Sequence, residues 1–137
     1  MATITPTPLY LKDAVLEIDG DDYAPAASTA TLNPSVSATT YYGLKPDAQF
    51  PETSVDWALD LSFVQDWDST TSLSRLLWDN QGTVISAAIL KPRSGQGPSF
   101  QVDLHIVPGT IGGDTRAFST SSVTLPVVGS PTLVEAP

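Results

Sequence analysis

The sequence specifies a mostly-β protein with a single helix, and three observations lead there. Twelve prolines and nine glycines are spread along 137 residues, a density that interrupts any long helix but suits short strands joined by turns. Residues 54–64 (SVDWALDLSFV) and 100–107 (FQVDLHIV) alternate apolar and polar side chains at the two-residue period of a half-wet strand. Only residues 70–81 carry apolar side chains at helical spacing between two caps. The charged fraction of 15% and the apolar fraction of 41% exclude both a disordered chain and a charged coiled coil. At this length one domain is expected over 1–137, with flexible arms at about 1–8 and 129–137.

The elements follow in chain order. The ends, ITPTP at 4–8 and GSPTLVEAP at 129–137, are too rich in proline to hold a ladder or helix unaided and are read as arms. Residues 9–18 (LYLKDAVLEI) are a β-rich run closed by the turn cluster DGDD at 19–22. Asp-Gly is among the strongest signals for a type I′ hairpin turn, which accounts for these acids better than a calcium loop lacking its distal glutamate. Residues 28–42 are a Thr-rich region broken by Pro34. Residues 40–53 are expected to form a long loop, too aromatic to be idle and too broken for a strand, in which Tyr41, Tyr42 and Phe50 are covered by a neighbouring subunit, the alternative being a loop folded back on its own sandwich.

In the strand at 54–64, Val55, Trp57, Leu59, Leu61 and Phe63 face the core, while Asp56, Ala58, Asp60 and Ser62 face water. Ser69 or Thr70 then offers an N-cap, Leu73, Leu76 and Leu77 form the buried stripe, and Gly82 offers the C-cap. A strand at 84–91 (VISAAILK), a loop at 92–98 (PRSGQGP) and the strand at 100–107 follow. After the turn-rich PGTIGGD at 108–114, the last strand is read at 118–128, with Pro126 at an edge or bulge position. Trp57 and Trp78 are read as core. Trp67, flanked by Asp66 and Asp68, either caps the core or presents an aromatic anchor to another subunit.

The chemical inventory is thin. No cysteine is present, which removes disulfides, thiolate metal sites and thiol nucleophiles. His105 is the sole histidine and sits mid-strand beside Asp103 as an ordinary surface residue, so no catalytic residues, metal site or cofactor are assigned. The segment GTIGG at 109–113 has no following lysine or helix signal and reads as a turn rather than a phosphate cradle. Fifteen acids against six bases give a net charge of −9, which argues against wrapping nucleic acid, because phosphate affinity comes from Lys and Arg. The N-terminus carries no signal-peptide pattern and no apolar run is long enough to span a bilayer, so a soluble protein without membrane insertion is expected.

The phrases VQDWD, LLWDNQG, IVPGTIGGD and VTLPVVG, within residues 54–82 and 100–133, together resemble the major tail protein, or tail tube protein, of long-tailed phages that infect actinobacteria. The resemblance implies a tail-tube-type β-sandwich or barrel with one flanking helix. It also implies subunits that close into six-membered rings and stack into a hollow virion tail, made in the host cytoplasm, through which genome DNA passes without specific binding. The partners so implied are further copies of the chain, together with tape-measure, tail terminator and distal tail proteins. Within that reading Asp56 and Asp60, with Asp103, are the candidates for the lumen, where negative charge keeps phosphate from sticking. Tyr41, Tyr42, Phe50 and Trp67 are the candidate intersubunit contacts. The competing readings are an immunoglobulin-like binding or decoration module, a single-ring terminator or connector, and a small hydrolase, the last lacking a nucleophile and base.

Overall fold

Asp19 and Gly20 both take positive φ, 54° and 86°, the conformation a type I′ turn demands and that Gly reaches without steric cost. This two-residue turn joins β1 (Val15–Ile18) to β2 (Asp21–Asp22), with Ile18 opposite Asp21. The computed structural model describes residues 1–92 and 97–135. Its remaining elements are β3 (Ala27–Tyr42), β4 (Gln49–Val64), α1 (Leu73–Asp79), β5 (Val84–Lys91), β6 (Ser99–His105) and β7 (Thr120–Val134). Among the described residues no helix is long and apolar enough to cross a membrane.

All seven strands join one antiparallel sheet in the order β2-β1-β5-β6-β7-β4-β3. Leu16 and Ile18 of β1 and Leu59, Leu61 and Phe63 of β4, from opposite sides of this sheet, belong to one buried cluster with Leu104, Leu125, Leu73 and Leu77. The sheet therefore curls around its own apolar face, the sandwich or barrel arrangement in which inward and outward residues alternate along each strand. The first half of β7 pairs with β4 from Thr120 to Pro126, and from Val127 onward its partner is β6. Pro126 thus stands where the strand changes neighbour, a place in a ladder that tolerates a missing N–H.

Several sequence expectations are corrected. The first strand keeps only its last four residues, because the stretch before Val15 finds no partner strand among the described residues. Pro34 does not break β3, which runs unbroken for 16 residues as the sheet's outer strand, where one face of the backbone needs no partner. The expected loop at 40–53 is instead the distal end of a β3–β4 hairpin, with Tyr41 opposite Phe50, Thr40 opposite Pro51 and Tyr42 opposite Gln49. Pro51 also lies on the ribbon outside the reach of β7, so its missing donor disturbs only one ladder. The chain at 130–134, expected as an arm, extends β7 against Ser99, Phe100 and Gln101. Residues 93–96 of the expected loop at 92–98, and 136–137 of the C-terminal arm, lie outside the described residues.

The helix is shorter than its pattern. Ser72, rather than Ser69 or Thr70, is the N-cap, its Oγ accepting the Arg75 N–H at 3.3 Å. Leu73 and Leu77 are buried and Leu76 is half-buried, so the expected stripe does pack inward. Past the C-cap Asn80, the Gly82 N–H donates to the Ile106 carbonyl at 2.8 Å and the Ile106 N–H to the Thr83 carbonyl at 2.9 Å, which ties the end of α1 to the end of β6.

Candidate functional site

Strand register places the candidate acids on one side of the sheet. Residues directly opposite in an antiparallel pair share a face, so Asp60 stands with Thr31 and Thr124, Asp56 with Ser35, and Glu52 with Thr39. Along β7 the outward positions continue through Pro126 to Val128, which is opposite Asp103. Glu52, Asp56, Asp60 and Asp103 therefore all face away from the core. The four contiguous strands β6, β7, β4 and β3 contain these four acids and no lysine or arginine. His105 is exposed on the same side.

The acids differ in how firmly they are held. Asp60 bridges the two neighbouring strands, accepting from the Asn33 side-chain amide and from the Thr124 hydroxyl at 2.7 Å. Beside it the Ser62 and Ser122 hydroxyls are 3.1 Å apart. Asp103 accepts the Ala87 N–H at 3.1 Å. Ala87 takes a positive φ of 61° within a β5 bulge, so this carboxylate satisfies a donor the ladder has abandoned. Asp56 and Glu52 are exposed on the part of β4 that reaches beyond β7.

That part is a two-stranded ribbon. The last pairing of β4 with β7 is at Ala58, and from there β3 and β4 continue alone for nine residues of β4, about 30 Å at the usual strand rise. Almost every residue between 35 and 56 is exposed, including Val36, Tyr41, Tyr42, Phe50 and Val55, and Leu44 at the tip is fully so. The Tyr41 and Phe50 rings lie 6.1 Å apart on the acid-bearing side. The tip closes through the Gly43 N–H to the Ala48 carbonyl at 2.6 Å, and a Cβ on Gly43 would come within 2.6 Å of the Ala48 Cβ, so only glycine fits this approach.

At the other end of β4 the chain enters an aromatic corner. Trp67 and Trp78 pack edge to face with centroids 6.5 Å apart. Trp67 is half-buried, and Trp78, expected in the core, is 48% exposed because it falls outside the Leu73–Leu77 stripe. Trp57, the other expected core tryptophan, is half-buried at an apolar cleft of about 530 Å³ shared with Leu9, Leu11, Leu32, Phe100 and Leu133.

Sequence reading missed Gln65, the organiser of this corner. Its Oε1 accepts from the Gly112 N–H at 3.0 Å and the Trp67 Nε1–H at 3.2 Å, while its Nε2 donates to the Gly112 carbonyl at 2.9 Å and the Thr120 carbonyl at 3.0 Å. Both partner segments are some 50 residues away, so no local pattern could have signalled them. Asp66 beside it accepts the N–H groups of Asp68 and Ser69, each at 3.2 Å. Hydrogen bonds from the Ser69 backbone and side chain hold its carboxyl below the usual range against a smaller opposing effect of burial, with a still smaller contribution from the Asp68 N–H.

The acids at 19–22 serve the hairpin, where Asp22 Oδ1 accepts the Ala24 N–H at 2.9 Å and the Leu16 N–H at 3.2 Å. Among the described residues no group of three or more His, Cys, Asp or Glu could hold a metal ion.

No protein-family model matches this sequence, and no curated protein does. The fold is similar to that of a chain in a solved structure described as the virion of a native gene transfer agent particle. That likeness has a TM-score of 0.61 at 12% identity and covers 89% of this chain and 95% of the other. At that identity it shows a shared fold: a single antiparallel sheet curled on itself with one short helix.

Proposed function

We propose that this chain is a structural virion protein that assembles with copies of itself into stacked six-membered rings, forming a hollow tail tube through which DNA is delivered. The observation that carries the reading is the outward face of β6, β7, β4 and β3, where Glu52, Asp56, Asp60 and Asp103 stand among Ser and Thr with no lysine or arginine. Turned to a bore, such a wall offers a passing duplex no lysine or arginine to pair with, whereas a lysine-lined bore would engage many phosphates at once and stall it. The fold it shares with a chain of a gene transfer agent virion supports the same role.

The unsupported ribbon favours self-assembly over a decoration module. A two-stranded hairpin is marginal in water by itself, and here it exposes Tyr41, Tyr42, Leu44 and Phe50. Covering it with a neighbouring subunit supplies the missing burial. In this reading Glu52, Asp56, Asp60 and Asp103 line the bore, Trp67 joins the hairpin aromatics as a subunit contact, and tape-measure, terminator and distal tail proteins meet the tube at its ends. The chain acts as one structural domain, without catalytic chemistry.

Negative-stain electron microscopy of the purified protein tests this directly. Long tubes with a stain-filled channel are expected. Isolated rings would select a terminator or connector, and monomers at all concentrations would overturn the assembly.

A further inference from the structure

Between α1 and the segment that follows β6, Trp67, Arg75, Trp78, Asp79 and Ile111 line an open notch of about 360 Å³. Its walls are set. Trp67 is held by Gln65 through Nε1 at 3.2 Å, and Arg75 donates from Nη1 to the Trp67 carbonyl at 3.2 Å. Trp78 and Ile111 are nonetheless 48% and 58% exposed. A tryptophan pair with an arginine, framed by charge and open to water, has the composition of a binding hot spot.

The hairpin tip has matching chemistry. Leu44 is fully exposed, and Lys45 and Asp47 flank it on a turn closed by the Gly43–Ala48 hydrogen bond. The tip is thus an apolar knob with one cation and one anion, and the notch is an aromatic recess with one anion, Asp79, and one cation, Arg75. The two cannot meet within one molecule. The tip adjoins Gln49 and the notch follows Val64, the opposite ends of the 16-residue β4, which separates them by roughly 50 Å at the usual strand rise.

We propose that the hairpin tip of one copy seats Leu44 in the Trp67–Trp78 notch of the next, with Lys45 against Asp79 and Asp47 against Arg75. The inference rests on the self-assembly reading and specifies the contact. Because knob and notch are different surfaces at opposite ends, the interface is heterologous and propagates from copy to copy, closing into a ring or continuing as a stack according to the rotation between copies.

Charge reversal tests the pairing. Lys45→Glu and Asp79→Lys lie on exposed positions and should leave the thermal transition of the unassembled protein unchanged. Each should raise the concentration needed for assembly, measured by sedimentation, by about tenfold or more, and the double reversal should recover most of that loss. A double variant no better than the two singles, or singles that assemble like the wild type, would overturn the pairing while leaving self-assembly intact. A wild-type protein that never assembles would overturn both.

The absence of cysteine permits a second, independent measurement. Leu44→Cys combined with Ile111→Cys, treated with a short bismaleimide, should give a ladder of covalent oligomers. An equimolar mixture of the two single variants should give tip-to-notch dimers and no ladder. Cross-linking no greater than in a control pairing Leu44→Cys with Thr124→Cys would sink the contact.

Discussion

Gln65 shows how much one side chain of ordinary appearance can hold. Its amide reaches Trp67, Gly112 and Thr120, so Gln65→Leu should leave several backbone and indole groups without their partner. A loss of about 0.5 to 1.5 kcal/mol is expected, because Gly112 and Thr120 are exposed and water takes up their groups, read as a lowered denaturant midpoint, together with faster tryptic cleavage after the exposed Arg116 in the released segment. Asp66 makes a pH-dependent contribution of a different kind. Its folded-state pKa is depressed by the Ser69 and Asp68 donors, so the ionised carboxylate stabilises the folded chain. That contribution is complete above about pH 4 and is lost as pH falls through the depressed value. Asp66→Asn keeps an acceptor oxygen but does not titrate, and thermal melts of this variant should depend less on pH below about 4 than those of the wild type.

At the scale of elements, α1 and the β3–β4 ribbon are opposites. The seven-residue helix would not persist in isolation, and it exists because Leu73 and Leu77, each 1% exposed, close one end of the curled sheet. Leu77→Ala should cost about 2 to 5 kcal/mol, and calorimetry should show a drop in Tm of roughly 3 to 5 °C for each kcal/mol. The ribbon buries almost nothing within its own chain. Combining Tyr42→Ser, Leu44→Ser and Phe50→Ser should shift the monomer's stability by less than about 0.5 kcal/mol at each of Tyr42 and Leu44 and by about 0.2 to 1 kcal/mol at Phe50, which loses its cross-strand ring contact with Tyr41, yet abolish tubes in electron micrographs. Normal tubes from this variant would show that the ribbon is not an intersubunit element.

For the whole molecule the governing quantity is where the charge lies. The six bases fall at Lys12, Lys45, Arg75, Lys91, Arg93 and Arg116, none of them on the four strands that carry the acid face. Asp60 and Asp103 have hydrogen-bonding duties, whereas Glu52 and Asp56 are exposed and free to be exchanged without disturbing a strand contact. Tubes assembled from a Glu52→Lys, Asp56→Lys variant should retain double-stranded DNA at about 50 mM salt and release it as salt rises, following the steep salt dependence of phosphate binding. Wild-type tubes should retain none in the same filter assay. Equal retention by both would remove the acid face from the account of DNA passage.

Much of this architecture is local and therefore readable along the chain. The alternation at 54–64 marked the inward Leu59, Leu61 and Phe63 and the outward Asp56 and Asp60, because a strand's side chains change face at every residue. It also marked Val55 and Trp57 as core, but Val55 is exposed and Trp57 only half-buried, because both lie beyond the last pairing with β7. The Asp19-Gly20 turn and the Leu73–Leu77 spacing were legible for the same reason: each depends on neighbours within a few residues. The misread segments depend on what lies beside them in space. Residues 40–53 carry two prolines and a glycine and look unfit for a strand, but pairing with residues across the hairpin supplies the hydrogen bonds that propensity alone would not secure. The chain at 130–134 is a strand because β6 offers a free edge there. The Gln65 hub, the exposure of Trp78 and the alignment of Asp103 with Asp60 across β7 require partners dozens of residues away. Long-range register and packing determine those, and no pattern of nearby residues encodes them.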